Sequence, residues 1–308
     1  MKSVIVIGSI NIDLTSYLDR WPRIGETIAV RETIRSLGGK GANQAVAAAR
    51  LGADVTLIGA IGGDAFGLEA AEELRRQNVK PELAEIGEAS TGMAFIDVGP
   101  EGGNVIRLSS GANGFLTAAR VLFSARSISA SGAVLLQNEV GLPASFEAAR
   151  LARNAGVPVI MDPAPAPETP WTPEIYSAFD ILTPNAHEAG AILGQVPSNL
   201  NEGVEAARTL QSLGLRGAIV TMGELGVAWA FDGTRGKLPA PDVNSIDTVA
   251  AGDCFNGALA SRMVRGDHFE DAVRFAVRAA AITTTRKGAS LSLPTLQEME
   301  NFAHPVSA

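Results

Sequence analysis

The sequence predicts an α/β fold, a central mostly parallel sheet sandwiched by helices with a small β-sheet lid, and three observations carry that expectation. Short apolar runs without polar alternation recur between helix-length stretches along much of the 308 residues, the pattern of repeated βα units whose strands are covered on both faces. Two strand-rich segments, at about 14–37 and 91–108, interrupt this alternation. Polar side chains stand just beyond one strand end after another, where ligands sit in open α/β sheets.

Taken in order, Val4 to Ile7 is a buried strand closed by Gly8, Ser9, Ile10, Asn11, Ile12 and Asp13. Asn11 and Asp13 therefore follow a strand's carboxyl end, either as ligand contacts or as residues that only shape a turn. From Leu14 to Leu37, Tyr17, Trp21, Pro22, Gly25 and Val30 mix β-formers with breakers, so short strands and turns leaving the main sheet are expected. Met93 to Val98 and Asn104 to Leu108 form a hairpin across Gly99, Pro100, Glu101, Gly102 and Gly103. The two segments together predict an accessory sheet, a lid over a pocket or a dimer surface. Between them, Gly38, Gly39, Lys40, Gly41, Ala42 and Asn43 lead into an Ala-rich helix from Gln44 to Leu51. Glycines ahead of a helix let a ligand approach backbone amides, and Lys40 and Asn43 add donors there, although a plain glycine hinge has the same pattern. No Gly-Lys-Ser/Thr ending follows, which excludes a P-loop. Val55 to Ile58 is a strand and Leu68 to Gln77 helical; the glycines between them miss the spacing of a dinucleotide fingerprint.

After Gly111, Ala112 and Asn113 the alternation is regular, with strands at Ala133–Gln137, Val157–Met161, Asp180–Thr183, Ala218–Met222 and Val227–Phe231. Helices fall at Ala144–Ala155, Glu188–Leu193 and Glu202–Leu213. Beyond the strand ends lie Asn138 and Glu139, then Asp162, then Asn185 and Glu188, then Thr221 with Gly223 to Gly226. Each is a turn residue by default, but residues placed so repeatedly would line one cleft. The last third holds helices at Asp253–Val264 and about Glu270–Thr284, a loop Arg286, Lys287, Gly288, Ala289, Ser290, and a surface helix Thr295–Phe302. Chemistry is expected in Val243 to Leu259, VNSIDTVAAGDCFNGAL. Ala250, Ala251 and Gly252 leave the backbone uncovered before an apolar helix, so several amides can point at one anion. Asp253 at the mouth of that turn either caps the helix or takes a proton from a hydroxyl held beside the anion.

Composition bounds the function. With 46% apolar residues the chain can bury a large core, and without a dividing linker it reads as one domain, 1–308, with a lid. A net charge of −8 and the lack of a Lys/Arg run argue against a nucleic-acid surface. The single Cys254 allows no intrachain disulfide and reads as core filler, which makes a reducing cytoplasm the expected compartment. The four apolar residues Val4 to Ile7 are too few for a signal-peptide core or a membrane span. His187, His268 and His304 are scattered without ligand spacing, so no zinc site is expected.

The blocks GSINIDL (Gly8 to Leu14), GGKGANQAVAAARLGA (Gly38 to Ala53), STG (Ser90 to Gly92), NVI with SSGAN (Asn104 to Asn113), DPAPA (Asp162 to Ala166), TPNAHEA (Thr183 to Ala189), DTVAAGDCFNGAL (Asp247 to Leu259) and TRKGA (Thr285 to Ala289) resemble the ribokinase family. More widely, they resemble the ATP-dependent sugar and nucleoside kinases of the PfkB superfamily. The resemblance spans nearly the whole chain in order, and its GGKGANQ and AAGD blocks are specific.

The resemblance implies a lid that also forms a homodimer contact, and phosphorylation of the 5-hydroxyl of D-ribose. Asp253 is implied to be the base, with the amides of Ala250, Ala251, Gly252 and Asp253 as the anion hole. The sugar pocket is implied to use Asn11, Asp13, Gly39, Lys40, Asn43, Glu139 and Asp253. ATP is implied to lie against Asn185, Thr221, Gly223, Gly226 and Gly252, with Mg2+ organised through water by Glu188. A K+ site is implied at Asp247, Val249, Thr283, Arg286, Gly288 and Ser292, mostly through backbone oxygens. Three departures bear on the fit: Val277 stands where such kinases often carry a polar residue near adenine, Ser109 and Ser110 replace a more usual His-Ala, and Asn138 replaces an apolar residue. Other readings stay open: a kinase of the same fold for deoxyribose, a ketose such as fructose, or a nucleoside such as adenosine, and a non-catalytic sugar sensor. Aromatic residues make up only 5% of the chain, and Tyr17 and Trp21 are the only Tyr or Trp near the lid, which favours a small polyhydroxylated sugar over a nucleobase.

Overall fold

In the computed structural model, residues 2–100 and 103–302 are described; Glu101, Gly102 and His304 lie outside the described residues. Strand β1 (Val4–Ile7) shows why the main sheet is sandwiched: Val4 and Val6 enter one apolar cluster, Ile5 and Ile7 the other, and all four are buried. A strand covered on both faces needs no polar alternation. The chain then leaves the main sheet for β2 (Asn11–Tyr17) and β3 (Glu32–Gly38), and returns through α1 (Lys40–Arg50), β4 (Val55–Gly62), α2 (Ala65–Arg76) and β5 (Val79–Ile86). It leaves again for β6 (Gly92–Val98) and β7 (Asn104–Ser109). Short helices α3 (Ala118–Leu122) and α4 (Ala125–Ala130) precede β8 (Ala133–Gln137), α5 (Leu142–Asn154), β9 (Val159–Asp162), α6 (Pro173–Tyr176) and β10 (Ile181–Leu182). There follow α7 (Ala186–Leu193), α8 (Leu200–Gln211), β11 (Gly217–Thr221), β12 (Val227–Phe231) and β13 (Thr234–Leu238), then α9 (Ala251–Met263), α10 (Phe269–Thr284) and α11 (Leu296–Asn301).

The nine-stranded sheet runs β13-β12-β11-β10-β9-β8-β1-β4-β5, parallel from β11 to β5 with β12 and β13 antiparallel. Because the chain winds outward from β1 through β4 and β5 on one side and through β8 to β11 on the other, the switch point of the sheet, the place where ligands bind in open α/β folds, falls between β1 and β8. The two strand-rich segments pair in a second sheet, β3-β2-β6-β7, in which β2 and β6 are parallel. Buried Asn113 joins the sheets: its Oδ1 accepts from Ile10 N and its Nδ2 donates to Ile10 O and Asn11 Oδ1.

Several elements differ from the sequence reading for physical reasons. Helix α1 begins at Lys40, four residues before Gln44, because Gly39 takes a left-handed φ of 88° ahead of the first turn and Gly41 lets that turn lie on the backbone of Gly8. A Cβ on Gly41 would meet Gly8 C at 2.6 Å. Asn11 belongs to β2 and not to a turn, so the lid strand starts three residues before Leu14. Edge strands β5, with Lys80, Pro81, Glu82 and Glu85, and β13, TRGKL, lack an apolar run because one side of each is open. Helices α3, α4 and α6 are too short to show a period. Cys254 is buried beside Thr283 in the core, and burial pushes its thiol up to about 12, far from nucleophilic range. Among the described residues no helix is long and apolar enough to cross a membrane.

Candidate active site

The amino end of α9 starts the site. Ala250 ahead of it is left-handed, with φ 62°, and no side chain caps the helix. Asp253 lies in the first turn and does not serve as the cap. The N–H groups of Gly252 and Asp253 meet no acceptor among the described residues, while Ala251 N–H leans on Thr248 O at 3.3 Å. A Cβ on Gly252 would meet nothing within 4 Å. Unpaired amides at the positive end of a helix, facing open space, suit an anion.

The Asp253 carboxylate is buried and held from both sides by α1: Asn43 Nδ2 donates to Oδ2 at 3.0 Å and Gln44 Nε2 to Oδ1 at 3.2 Å. This reach depends on Gly257 one turn further along α9, where a Cβ would sit 2.6 Å from Gln44 O and Ala47 Cβ. Small residues on α1 and Gly257 bring the two helix backbones together. Burial opposes the charge on Lys40, but the carboxylates of Asp253, Asp162, Glu139 and Glu188 outweigh it and hold the ammonium above its ordinary pKa.

Asn11 and Asp13, two apart on β2, share one face of the lid's base. Gly38 is required beneath Asp13, since a Cβ there would overlap its carboxylate at 2.0 Å. Asp13 Oδ1 and Asn43 Oδ1 are buried without a hydrogen-bond partner among the described residues. Burial first, then the charges of Glu139 and Asp253, push Asp13 up to about 7. Glu139 Oε2 accepts from Ser9 Oγ at 2.5 Å and from Lys40 N at 3.1 Å, which brings the segment after β8 against the start of α1. Buried acceptors left without donors are what the hydroxyls of a polyol would satisfy.

Asn185 and Glu188 form a capping box on α7, with Asn185 Oδ1 accepting from Glu188 N at 2.9 Å and Glu188 Oε2 from Asn185 N at 2.8 Å. The structural role of this pair is therefore real whatever else it does. Burial, against the pull of the Asn185 amide and Lys40, leaves Glu188 above the ordinary carboxylate value. Asn185 bridges to Thr221 at the end of β11, and Gly223 and Gly226, both with positive φ, shape the turn that follows. Val277 is buried in the core cluster of α9 and α10.

The loops flanking α9 are joined by Asp247, whose two carboxylate oxygens accept from Val249 N at 3.0 Å and Gly288 N at 2.9 Å. Thr283 O accepts from Arg286 N, and the hydroxyls of Thr283 and Ser292 donate to Ala279 O and Ala289 O. The Arg286 guanidinium turns away to pair with Glu298 at 2.7 Å, leaving its backbone to the loop. Lys287 lies over the Tyr17 ring at 5.3 Å, so the lid rests on this loop. Among the described residues no three His, Cys, Asp or Glu side chains cluster as a metal site.

The sequence marked Asp162 as a residue lining the cleft but gave no role to three others that the fold brings here: Ser9, Gln44 and Asn113. Each lies inside a motif already quoted, and the fact that Asn, Gln and Ser stand where a packed core is expected was the available signal. Gln44 Nε2 also donates to Asp162 Oδ2 at 2.9 Å.

Residues 1–296 match the pfkB family of carbohydrate kinases. A ribokinase of Haemophilus influenzae is 37% identical over 302 residues, covering 98% of both chains. A deoxyribokinase of Salmonella typhi is 33% identical over 304 residues, covering 97% of this chain and 98% of its own. The structure of an Arabidopsis thaliana ribokinase complexed with ribose and ATP superposes with a TM-score of 0.90 at 31% identity, over 97% of this chain and 98% of that one. With a match this long and a nine-stranded sheet and accessory sheet of the same architecture, the chain belongs to the pfkB family of carbohydrate kinases and is a phosphotransferase.

Proposed function

We propose that this kinase phosphorylates the 5-hydroxyl of D-ribose with MgATP. The observation that carries the reading is the Asp253 carboxylate, fixed by Asn43 and Gln44 beside the unpaired amides of Gly252 and Asp253. In this reading Asp253 takes the proton of the sugar hydroxyl as that oxygen bonds to the γ-phosphorus, the bond from that phosphorus to the bridging oxygen breaks, and ADP leaves. Amides aimed at the transferring group offset the charge on its oxygens, which is most of what phosphoryl transfer requires. Asp13, Asn11, Asn43, Glu139 and the start of α1 at Gly39 and Lys40 hold the other hydroxyls. Magnesium, when bound, neutralises charge on the phosphates; Glu188 fits a water-mediated hold better than direct ligation, since it also caps α7. Asn185, Thr221, Gly223 and Gly226 line the nucleotide side. Carbonyls of Val249, Thr283, Arg286, Gly288 and Ser292 fit a monovalent cation whose loops Asp247 ties together. Apolar side chains exposed on the lid and its loops, Trp21, Ile24, Val30, Val105, Ile106 and Leu108, support a homodimer formed through that sheet.

ADP production from MgATP with ribose, 2-deoxyribose, fructose, adenosine and uridine, in potassium and then in sodium only, tests the reading. Ribose should be turned over fastest, and faster in potassium. A preference for 2-deoxyribose would move the substrate assignment to the deoxyribokinase-like relatives, and silence on all five would revive the sensor reading.

Sugar affinity should depend on pH through Asp13. Its pKa of about 7 in the free protein means that it is protonated in half the molecules at that pH, and a protonated carboxyl turns one oxygen into a donor and is a far weaker acceptor for sugar hydroxyls. Since apparent affinity scales with the competent fraction, ribose should bind about eightfold more weakly at pH 6 than at pH 7.5. The sign for stability is opposite: the contribution from protonated Asp13 is full below the ordinary carboxylate pKa and is lost as pH rises through about 7. Calorimetric titration of ribose at both pH values checks this, and Asp13→Asn should abolish the dependence.

A further inference from the structure

We infer that Gln44 is the positioning residue for the catalytic carboxylate, holding Asp253 in register with the reacting hydroxyl and separating it from Asp162. This rests on the assignment of Asp253 as the base. Gln44 is fully buried, and every polar atom of its side-chain amide is engaged. One amide hydrogen goes to Asp253 Oδ1 at 3.2 Å, the other to Asp162 Oδ2 at 2.9 Å, and Oε1 accepts from Gln137 Nε2 at 2.8 Å. Gln137 and Asp162 are register partners on the adjacent strands β8 and β9, so the amide is anchored on the floor of the sheet while its other end holds α9.

The arrangement has one permitted orientation. Flipping the amide would turn its oxygen toward two carboxylates and its hydrogens toward the Gln137 amide. With Asn43 on Oδ2 and Gln44 on Oδ1, rotation of the Asp253 carboxylate is stopped, and each oxygen keeps a free lone pair for a substrate hydroxyl. No apolar residue of the same length does this, because Asp253 Oδ1 and Asp162 Oδ2 would each lose a buried donor. The titratable groups facing Asp253 are Lys40 from α1, Asp162 from β9, Glu188 from α7 and Asp13 from β2, and burial pushes all three of these carboxyls above their ordinary range, Asp162 furthest. An amide that binds Asp253 and Asp162 at once sets how close the two stand. Asn43, Asp13 and Glu139, which hold the sugar in the proposed reading, do not depend on the Gln44 amide for their own contacts.

Gln44→Met, of nearly the same length, removes both donors and the acceptor. The expected result is a kcat lowered about fiftyfold, with the KM for the sugar within threefold of wild type, since misplacing a reacting group by about 1 Å costs on the order of a hundredfold. Added to Asp253→Asn, Gln44→Met should lower kcat no further, because it acts through the carboxylate already lost. Gln44→Glu, isosteric and with one donor at most, should fall at least tenfold in kcat and serves if the methionine variant does not fold. A kcat within twofold of wild type in either folded variant, a KM that rises as much as kcat falls, or losses that multiply with Asp253→Asn would each overturn the inference. If neither variant folds, Gln44 is a core residue and the inference also falls. Retained turnover in Asp253→Asn would instead sink the assignment of the base, so the two failures are distinguishable.

Discussion

Asp253→Asn should lose roughly a thousandfold in kcat while ribose and nucleotide bind nearly as before, the range associated with removing a positioned general base. The reason is local. Asn has the shape of Asp; its amide oxygen can still accept from Gln44, and Asn43, whose Oδ1 has no partner among the described residues, can turn to accept from the new amide, so the packing of α1 on α9 is kept. What disappears is the carboxylate in the first turn of α9, the group proposed to take a proton from a hydroxyl beside the open amides. Binding of sugar and nucleotide measured by calorimetry, alongside single-turnover rates, separates the two effects. Near-normal turnover would show that the proton leaves by another route and that Asp253 only shapes the pocket.

The second large effect is expected at Gly252. A methyl group there meets no atom of the protein within 4 Å, so Gly252→Ala should fold normally and, lying in the first turn of a helix, lose nothing in stability. The same methyl would stand in front of the amides proposed to receive the transferring group. Loss of such donors typically costs about a hundredfold or more in kcat. Thermal unfolding should therefore stay level or rise while kcat drops by about that factor. Unchanged activity in a folded Gly252→Ala variant would mean that the space above α9 is not where the phosphoryl group passes.

Much of the architecture was legible because its causes lie in adjacent residues. A run such as Val4 to Ile7 announces a strand buried on both faces, and Gly38 to Asn43 announces a tight entry into a helix. The segments around 14–37 and 91–108 stood out because breakers and β-formers mix there, and they do pair in one sheet. Edge strands β5 and β13 were missed for the converse reason: half-open strands carry charges and proline, and their pairing comes from a neighbour's free backbone edge. The site divided in the same way. Asp253 and the small residues before it were readable from one stretch, as were Asn11, Asp13, Lys40 and Asn43 from theirs. That Asp253 is not a cap, whereas Asn185 and Glu188 do form a capping box, could not be told from residue types that suit either role.

The partners of these residues were not legible at all. Gln44 and Asp253 are 209 positions apart in the chain, and nothing in either neighbourhood specifies the other. Their bond exists because Gly257 lets α1 approach α9 to backbone contact, and because the register of β8 with β9 sets Gln137 beside Asp162 beneath them. The near-neutral pKa of Asp13 has the same origin, since burial and the charges of Glu139 and Asp253 belong to the assembled cleft. The sequence specified which groups were available and the local backbone that presents them. Their distances, orphaned acceptors and proton affinities arose from packing surfaces distant in the chain against one another, where removal from water makes each contact and each missing contact count.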